Sequence, residues 1–354
     1  MPGREMLKLR AIVEQAHRGT CAAAQFHQAP RWRSASWPIV ARSQLPAKIK
    51  RIALVSPGTK TIDMNNGNRY FRVFFEELNN LGYIEGQNLT VERYSGEGQV
   101  EHFAQLTHDV VSTGPDLIYA MNGPLALLFK RATTTIPIVA ISGDPIALGL
   151  VPNIARPGGN ITGVSVDAGI EIWGKRLGLL VEAEPTLSNA RLLASQALWE
   201  RPSGEGVAVQ EAARQAGVKL SGALLSTISE QAYQPVFRLM EQDRIDSLVV
   251  SDEPEHLPYL ASITKLAAKT RIPAIYPYRA FVDAGGLMAY STDLLDVQRR
   301  CANIVYRILK GDNPGDIPFY QQTRFELVIN LKTAKALNLL IPATLLARAD
   351  EAIE

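Results

Sequence analysis

Two aspartates in this sequence stand where a carboxylate could meet a ligand. Asp144 in "SGDP" and Asp252 in "SDEPEH" each follow a short apolar run of strand character. Either could accept from an ammonium group in a charge-assisted hydrogen bond roughly twice as strong as a neutral one. Asn122 and Gly123, in "MNGP", lie where a strand gives way to a helix, and backbone N–H groups there, with Ser142 nearby in type, suit a carboxylate. An anion cradle and two carboxylates together match a zwitterion. Each residue also has a plain structural use, since Asp before Pro is common turn chemistry and Asp at a strand end often caps the next helix.

Catalysis is poorly supplied by comparison. No G-x-S-x-G elbow, P-loop or full G-x-G-x-x-G follows a strand, and no Ser, His and Asp set can be assembled, because only His256 falls loosely at a strand end. The five histidines show no HExxH spacing, and the two cysteines, Cys21 and Cys301, lie far apart in unlike contexts, which argues against a disulfide or a thiolate metal site. The reading is a binding protein, not an enzyme, with no metal or other cofactor.

Such residues need elements to hold them. From residue 50 onward strands alternate with helices: "RIALVS" (51–56), a helix over 68–82 closing on Gly82, "NLTVERY" (88–94), a helix near 99–113, "DLIYA" (116–120), a helix near 124–133 and "IPIVAI" (136–141). Strand, helix, strand at these lengths means parallel pairing. The rhythm pauses at "RPGGNITGVSV" (156–166) and restarts with helix and strand alternation from about 170 to 277. The pattern predicts an α/β protein with two doubly wound parallel-sheet lobes joined at a Gly-rich crossing. A strand-like "GGLMAYS" (285–291), a long helix over 293–311 and a strand "FELVIN" (325–330) read as a tail that recrosses between lobes. In open parallel sheets ligands gather beyond the carboxyl ends of strands, which adds Ser56 at the end of the first strand and Tyr278 after a later one.

The 354 residues are long for a single core, which fits two lobes. Lys plus Arg (37) against Asp plus Glu (35) gives a net charge of +2, too balanced to point to a nucleic acid or membrane surface. No run reaches the ~18 to 20 apolar residues that span a bilayer. Residues 1–48 differ from the rest: basic residues are scattered among Ala, Gln and His without an apolar centre, yet "ASWPIVARSQLPAKIKRI" looks like the tail of an export signal. The segment reads as a degenerate leader, with a short helix docked on the body as the alternative.

Four stretches, "FFEELNNLGYIEGQNLTVERYSGEG" (74–98), "ATTTIPIVAISGDPIALGLV" (132–151), "ARPGGNITGVS" (155–165) and "FELVINLKTAKALNLLIPATLLARADEAIE" (325–354), resemble, in the same order, the substrate-binding proteins of ABC transporters of the tryptophan/tyrosine type. The resemblance implies a type I periplasmic-binding-protein fold with three crossings, an amino acid or similar small molecule as ligand, a permease and an ATPase as partners, and a periplasmic, monomeric receptor that closes over its ligand about a hinge. On this reading residues 49–163 with about 291–320 form one lobe and 164–290 with about 321–354 the other. A sensory domain of the same fold, serving a signalling partner, is the rival expectation; nothing before residue 50 resembles a DNA-binding helix-turn-helix unit. The chain departs from the family pattern at Ser291, where Gly is common, at Gln322, where Pro is common, and in the loop "SQALWERPSG" (195–204). If Ser291 and Trp199 face the cleft the ligand differs from that of relatives; Trp199 and Tyr278 could stack on a flat side chain, or pack under a loop.

Overall fold

The computed structural model describes residues 49–166, 171–201 and 205–354, so the leader-like segment and its cysteine lie outside the described residues. Two sheets, each sandwiched by helices, divide the described chain into two lobes.

Lobe 1 begins with β1 (Lys50–Ser56), α1 (Arg69–Asn80), β2 (Leu89–Ser95), α2 (Phe103–Ser112), β3 (Leu117–Ala120), α3 (Gly123–Ala132), β4 (Ile138–Ser142) and β5 (Ile161–Ser165). Lobe 2 holds α4 (Glu171–Ala183), β6 (Asn189–Ser195), α5 (Gln196–Trp199), α6 (Glu205–Gln215), β7 (Lys219–Leu225), α7 (Glu230–Gln242), β8 (Ser247–Val250), α8 (Leu260–Thr270), β9 (Ala274–Tyr276), α9 (Arg279–Asp283) and β10 (Met288–Thr292). The chain then returns to lobe 1 as α10 (Leu294–Lys310) and β11 (Tyr320–Gln321). It finishes in lobe 2 as β12 (Phe325–Asn330), α11 (Leu331–Ala336), α12 (Ala343–Leu346) and β13 (Glu351–Ile353). The first sheet runs β11-β5-β4-β3-β1-β2, all parallel; the second runs β13-β12-β10-β9-β8-β6-β7, with β12 antiparallel to β10.

Alternation along the strands explains why both faces need helices. In β1, Ile52 and Leu54 pack on one face with Phe71 and Phe74 of α1 and Val305 of α10, while Ala53 and Val55 pack on the other with Phe103, Leu125 and Phe129. A strand buried on both faces reads as an apolar run, and "IALV" is one. Asn68 starts α1 by accepting from the Tyr70 N–H at 3.0 Å, and Phe71, Phe74 and Leu78 give it one buried stripe. In lobe 2 the same logic places Trp173 and Leu177 of α4 on one face and Phe237 and Ile263 on the other.

The Gly-rich stretch is not itself the crossing. It leads into β5, whose Ile161, Thr162 and Val164 are buried beside β4, so the chain stays in lobe 1 through Ser165 before leaving for α4. The next crossing is abrupt: β10 ends at Thr292, and Asp293 caps α10 by accepting from the N–H groups of Leu295 and Asp296 at 2.8 and 3.2 Å. The last crossing, after β11, is laced to that helix. Gln322 donates to Asp296 at 3.0 Å, Asp296 pairs with Arg300 at 2.7 Å, and the Arg300 guanidinium sits 3.6 Å over the Tyr320 ring.

Candidate ligand-binding cleft

The contacts between the lobes join loops that follow strand carboxyl ends on both sides. Asn122, just after β3, donates from Nδ2 to Glu255 Oε1, after β8, at 3.0 Å. Gly58, after β1, comes so near that a Cβ there would stand 3.3 Å from the Glu255 Cα. At Gly98, after β2, a Cβ would stand 2.8 Å from the carbonyl oxygen of Ile228, after β7. Arg69 in α1 reaches Asp283 in α9 at 3.2 Å. The two sheets therefore aim their ligand-prone ends at one shared crevice.

Around Asn122, lobe 1 supplies a neutral wall. The Ser56 Oγ accepts from the Thr59 N–H at 3.0 Å, and the buried Ser142 hydroxyl points back to the Gly143 carbonyl at 3.4 Å. Asn122 caps α3, accepting from the Leu125 N–H at 2.9 Å, and Gly123 opens that helix against Ser142. Pro124 at the first turn needs no donor and leaves the cap undisturbed.

Lobe 2 supplies a charged wall. Glu253 Oε2 accepts from the Ser251 hydroxyl at 2.7 Å and from the Ser195 N–H at 2.9 Å. His256 is fully buried, with Nε2 3.0 Å from Ser251 Oγ and Nδ1 2.8 Å from the Tyr233 hydroxyl. Because Ser251 gives its proton to Glu253, His256 Nε2–H donates to Ser251 Oγ, and with Tyr233 on Nδ1 the four side chains form one hydrogen-bonded chain. Burial opposes the charge on Glu253, but His256 and the Ser195 donors outweigh it and hold the carboxyl at about 2. Glu255, two residues on, has the opposite fate: burial, then the neighbouring Glu253 charge, push it up to about 8 against the weaker pull of its own backbone N–H and of Asn122.

Arg176 of α4 backs this wall. It is 3% exposed, donates from Nε to the Tyr290 carbonyl at 3.1 Å, lies 5.2 Å from the Trp173 ring, and faces Asp252 Oδ2 at 3.6 Å. Tyr278 donates its hydroxyl to the Asp252 carbonyl at 2.5 Å, and burial raises its phenol well above the ordinary value. Beside Tyr278 a cavity of about 320 Å³ opens between α1, α9 and the start of α10, with Arg69 and Arg279 facing Asp283, Asp293 and Glu326. Its size is at the lower end of the ~300–1,000 Å³ typical of small-molecule pockets.

Of the residues singled out by sequence, Asn122 meets the opposite lobe directly, Gly123 lies beside it against Ser142, Ser56 ends β1, and in lobe 2 Tyr278 is joined to Asp252. Three are otherwise engaged or buried. Asp144 is exposed, and its Oδ1 accepts from the N–H groups of Ile146 and Ala147 at 2.8 and 3.0 Å, so the carboxylate is committed to its own Asp-Pro turn. Trp199 is half-buried against the lobe 2 core instead of standing free for stacking. Ser291 is fully buried within β10 with no hydrogen bond from its Oγ among the described residues. Sequence reasoning passed over Glu253, Glu255, Arg176 and the Arg69–Asp283 pair. The acidic run "SDEPEH" was a visible signal for the first two.

Two α/β lobes joined by three crossings, with their strand ends meeting in a polar crevice, make a type I periplasmic-binding-protein fold. Residues 68–353 match the ABC transporter substrate binding protein family, and the chain belongs to that family. It is 25% identical over 279 residues, 75% of each chain, to the tyrosine-binding protein of Clostridioides difficile strain R20291. Among solved structures, a conserved domain protein from Vibrio cholerae superposes with a TM-score of 0.74 at 22% identity, covering 86% of this chain and all of that one. The ABC domain from Streptococcus pneumoniae in complex with L-Trp gives 0.72 at 22% identity, covering 86% and 99%. The family is one of substrate-binding proteins, not enzymes. No helix among the described residues is long and apolar enough to cross a membrane.

Proposed function

We propose that this chain is the extracytoplasmic receptor of an ABC importer, and that it takes an amino acid, with an aromatic side chain favoured, into the crevice between its lobes. The Asn122–Glu255 hydrogen bond carries the reading, because it joins the two walls at the carboxyl ends of their strands. The start of α3, with Asn122, Gly123 and Ser142, offers donors to the ligand carboxylate, and the acidic edge from Asp252 to Glu255 offers acceptors to its ammonium group. Tyr278 and the adjoining cavity accommodate the side chain.

The mechanism is hinge closure. Contacts made by both lobes exist only when the cleft is shut, so ligand shifts the open–closed equilibrium by its difference in affinity for the two states. The tyrosine-binding relative and the L-Trp-bound neighbour support the choice of ligand class. A thermal-shift screen of the protein against the amino acids and small aromatic acids tests it, since a ligand at a hundred times its Kd adds about 2.7 kcal/mol to folding stability. L-Tyrosine or L-tryptophan raising the melting temperature is the expected result. A screen in which no amino acid or aromatic acid does so removes this reading.

A further inference from the structure

Where the walls touch, lobe 2 presents a carboxyl to lobe 1. Glu255 is 6% exposed, its Oε1 accepts from Asn122 at 3.0 Å, and the Gly58 backbone covers its Cα. Its charged neighbours offer it no counterion. On its own segment, Asp252 and Glu253 are carboxylates, and His256 faces Glu253 at 3.7 Å while its ring nitrogens are held by Ser251 and Tyr233. From α4, Arg176 faces Asp252 at 3.6 Å. At the start of α9, the Tyr278 hydroxyl is spent on the Asp252 carbonyl. From lobe 1 comes only the neutral Asn122 amide. Among the described residues no cation pairs with Glu255.

Two neutral donors, its own backbone N–H and the Asn122 amide, do not offset the cost of desolvating a carboxylate flanked by two others; such a group neutralises instead. With the lobes together Glu255 is held up to about 8 by burial and by Glu253. Once the lobes part, Asn122 and Gly58 withdraw, water reaches the carboxyl, and it returns toward the ordinary glutamate range.

We propose that the ligand-free protein closes by taking up a proton on Glu255, whose neutral carboxyl Asn122 then holds across the crevice. This rests on the hinge motion proposed above. The sign follows from linkage: the closed form binds the extra proton, so low pH favours closure and rising pH opposes it. The closed-to-open ratio falls about tenfold per pH unit between roughly 4.3, the open-state value, and about 8, and is level above that. An empty receptor therefore exposes its cleft more readily in alkaline than in acidic surroundings.

Small-angle X-ray scattering of the ligand-free full chain from pH 5 to 9 tests the proposal, with the Glu255→Gln variant and with wild type plus L-tryptophan at pH 9 alongside. The wild-type radius of gyration is expected to rise with pH and level off near 8, and Glu255→Gln, which keeps the neutral acceptor, to stay compact throughout. A wild-type radius indifferent to pH, or a pH response that Glu255→Gln retains, overturns it. A radius that L-tryptophan reduces but pH does not removes the proton latch and leaves the hinge; one that neither changes removes both. Should Glu255→Gln fail to fold, carboxyl carbon NMR of the wild type decides: a glutamate titrating well above its ordinary range supports the latch, and none doing so overturns it.

Discussion

The two walls of the crevice solve the same problem with different chemistry. Around Asn122, lobe 1 meets it with neutral groups, the caps and turn hydroxyls of Ser56, Asn122 and Ser142, each bonded to a residue no more than three positions away. Lobe 2 meets it with charges and their polar partners gathered from distant parts of the chain: Arg176 on α4, Ser195 at the end of β6, Tyr233 on α7, and Asp252 to His256 after β8. A neutral wall built locally tolerates loss of any one member. A charged wall is interdependent, because removing one ion leaves another buried without its partner.

The largest expected effect breaks the lobe 2 wall. Arg176→Met removes the buried cation beside Asp252 and takes the Nε donor from the Tyr290 carbonyl, and should cost about 3 kcal/mol in urea unfolding. Ser142→Ala on the opposite wall should cost under about 1 kcal/mol in the same assay. Equal losses would erase the contrast.

Acid should separate the walls next. Glu253 sits at about 2 in the folded protein, below the ordinary glutamate value, so its stabilisation is complete above roughly 4.3 and is lost as pH falls toward 2. Unfolding free energy should drop by about 2 kcal/mol more between pH 5 and 2 in wild type than in Glu253→Gln. Parallel acid limbs would show that Glu253 carries no charge worth protecting.

On lobe 1, Asn122→Ala removes a helix cap and should cost about 1 kcal/mol, whereas Asn122→Ser keeps the cap but cannot span to Glu255. Ser recovering the lost stability while ligand affinity stays reduced would separate the two duties of this side chain. Gly98→Ala sharpens the comparison at a point of backbone contact: its φ of +76° disfavours a side chain, and the new methyl would press on the Ile228 carbonyl and prop the lobes apart. Ligand affinity measured by calorimetry should fall several-fold. The smallest effect belongs to Asp144→Ala, which disturbs an exposed turn by about 0.5 kcal/mol and should leave the ligand-induced thermal shift unchanged.

Much of the architecture was legible because apolar runs and cap residues are local signals. "IALV" and "IPIVAI" announce strands buried on both faces, and Asn122 before Gly-Pro announces a helix start at a strand end. What was not legible is the fate of like residues once another part of the chain arrives. Lys175 and Arg176 are adjacent in sequence, yet one helical step turns Lys175 to solvent and buries Arg176. Asp252, Glu253 and Glu255 form one acidic run, but an arginine, a histidine and an asparagine from the other lobe treat them as three different groups. Asp144 shows the reverse case, in which the local use, turn chemistry before Pro145, takes the side chain.

The lacing of Gln322, Asp296, Arg300 and Tyr320 ties two of the interlobe connections to each other. Two tethers bound side by side behave like the paired pins of a door and not like a ball joint, suppressing twist and sideways slip. Under the proposed motion, a single pair of spectroscopic labels, one on each half, would then track the whole movement.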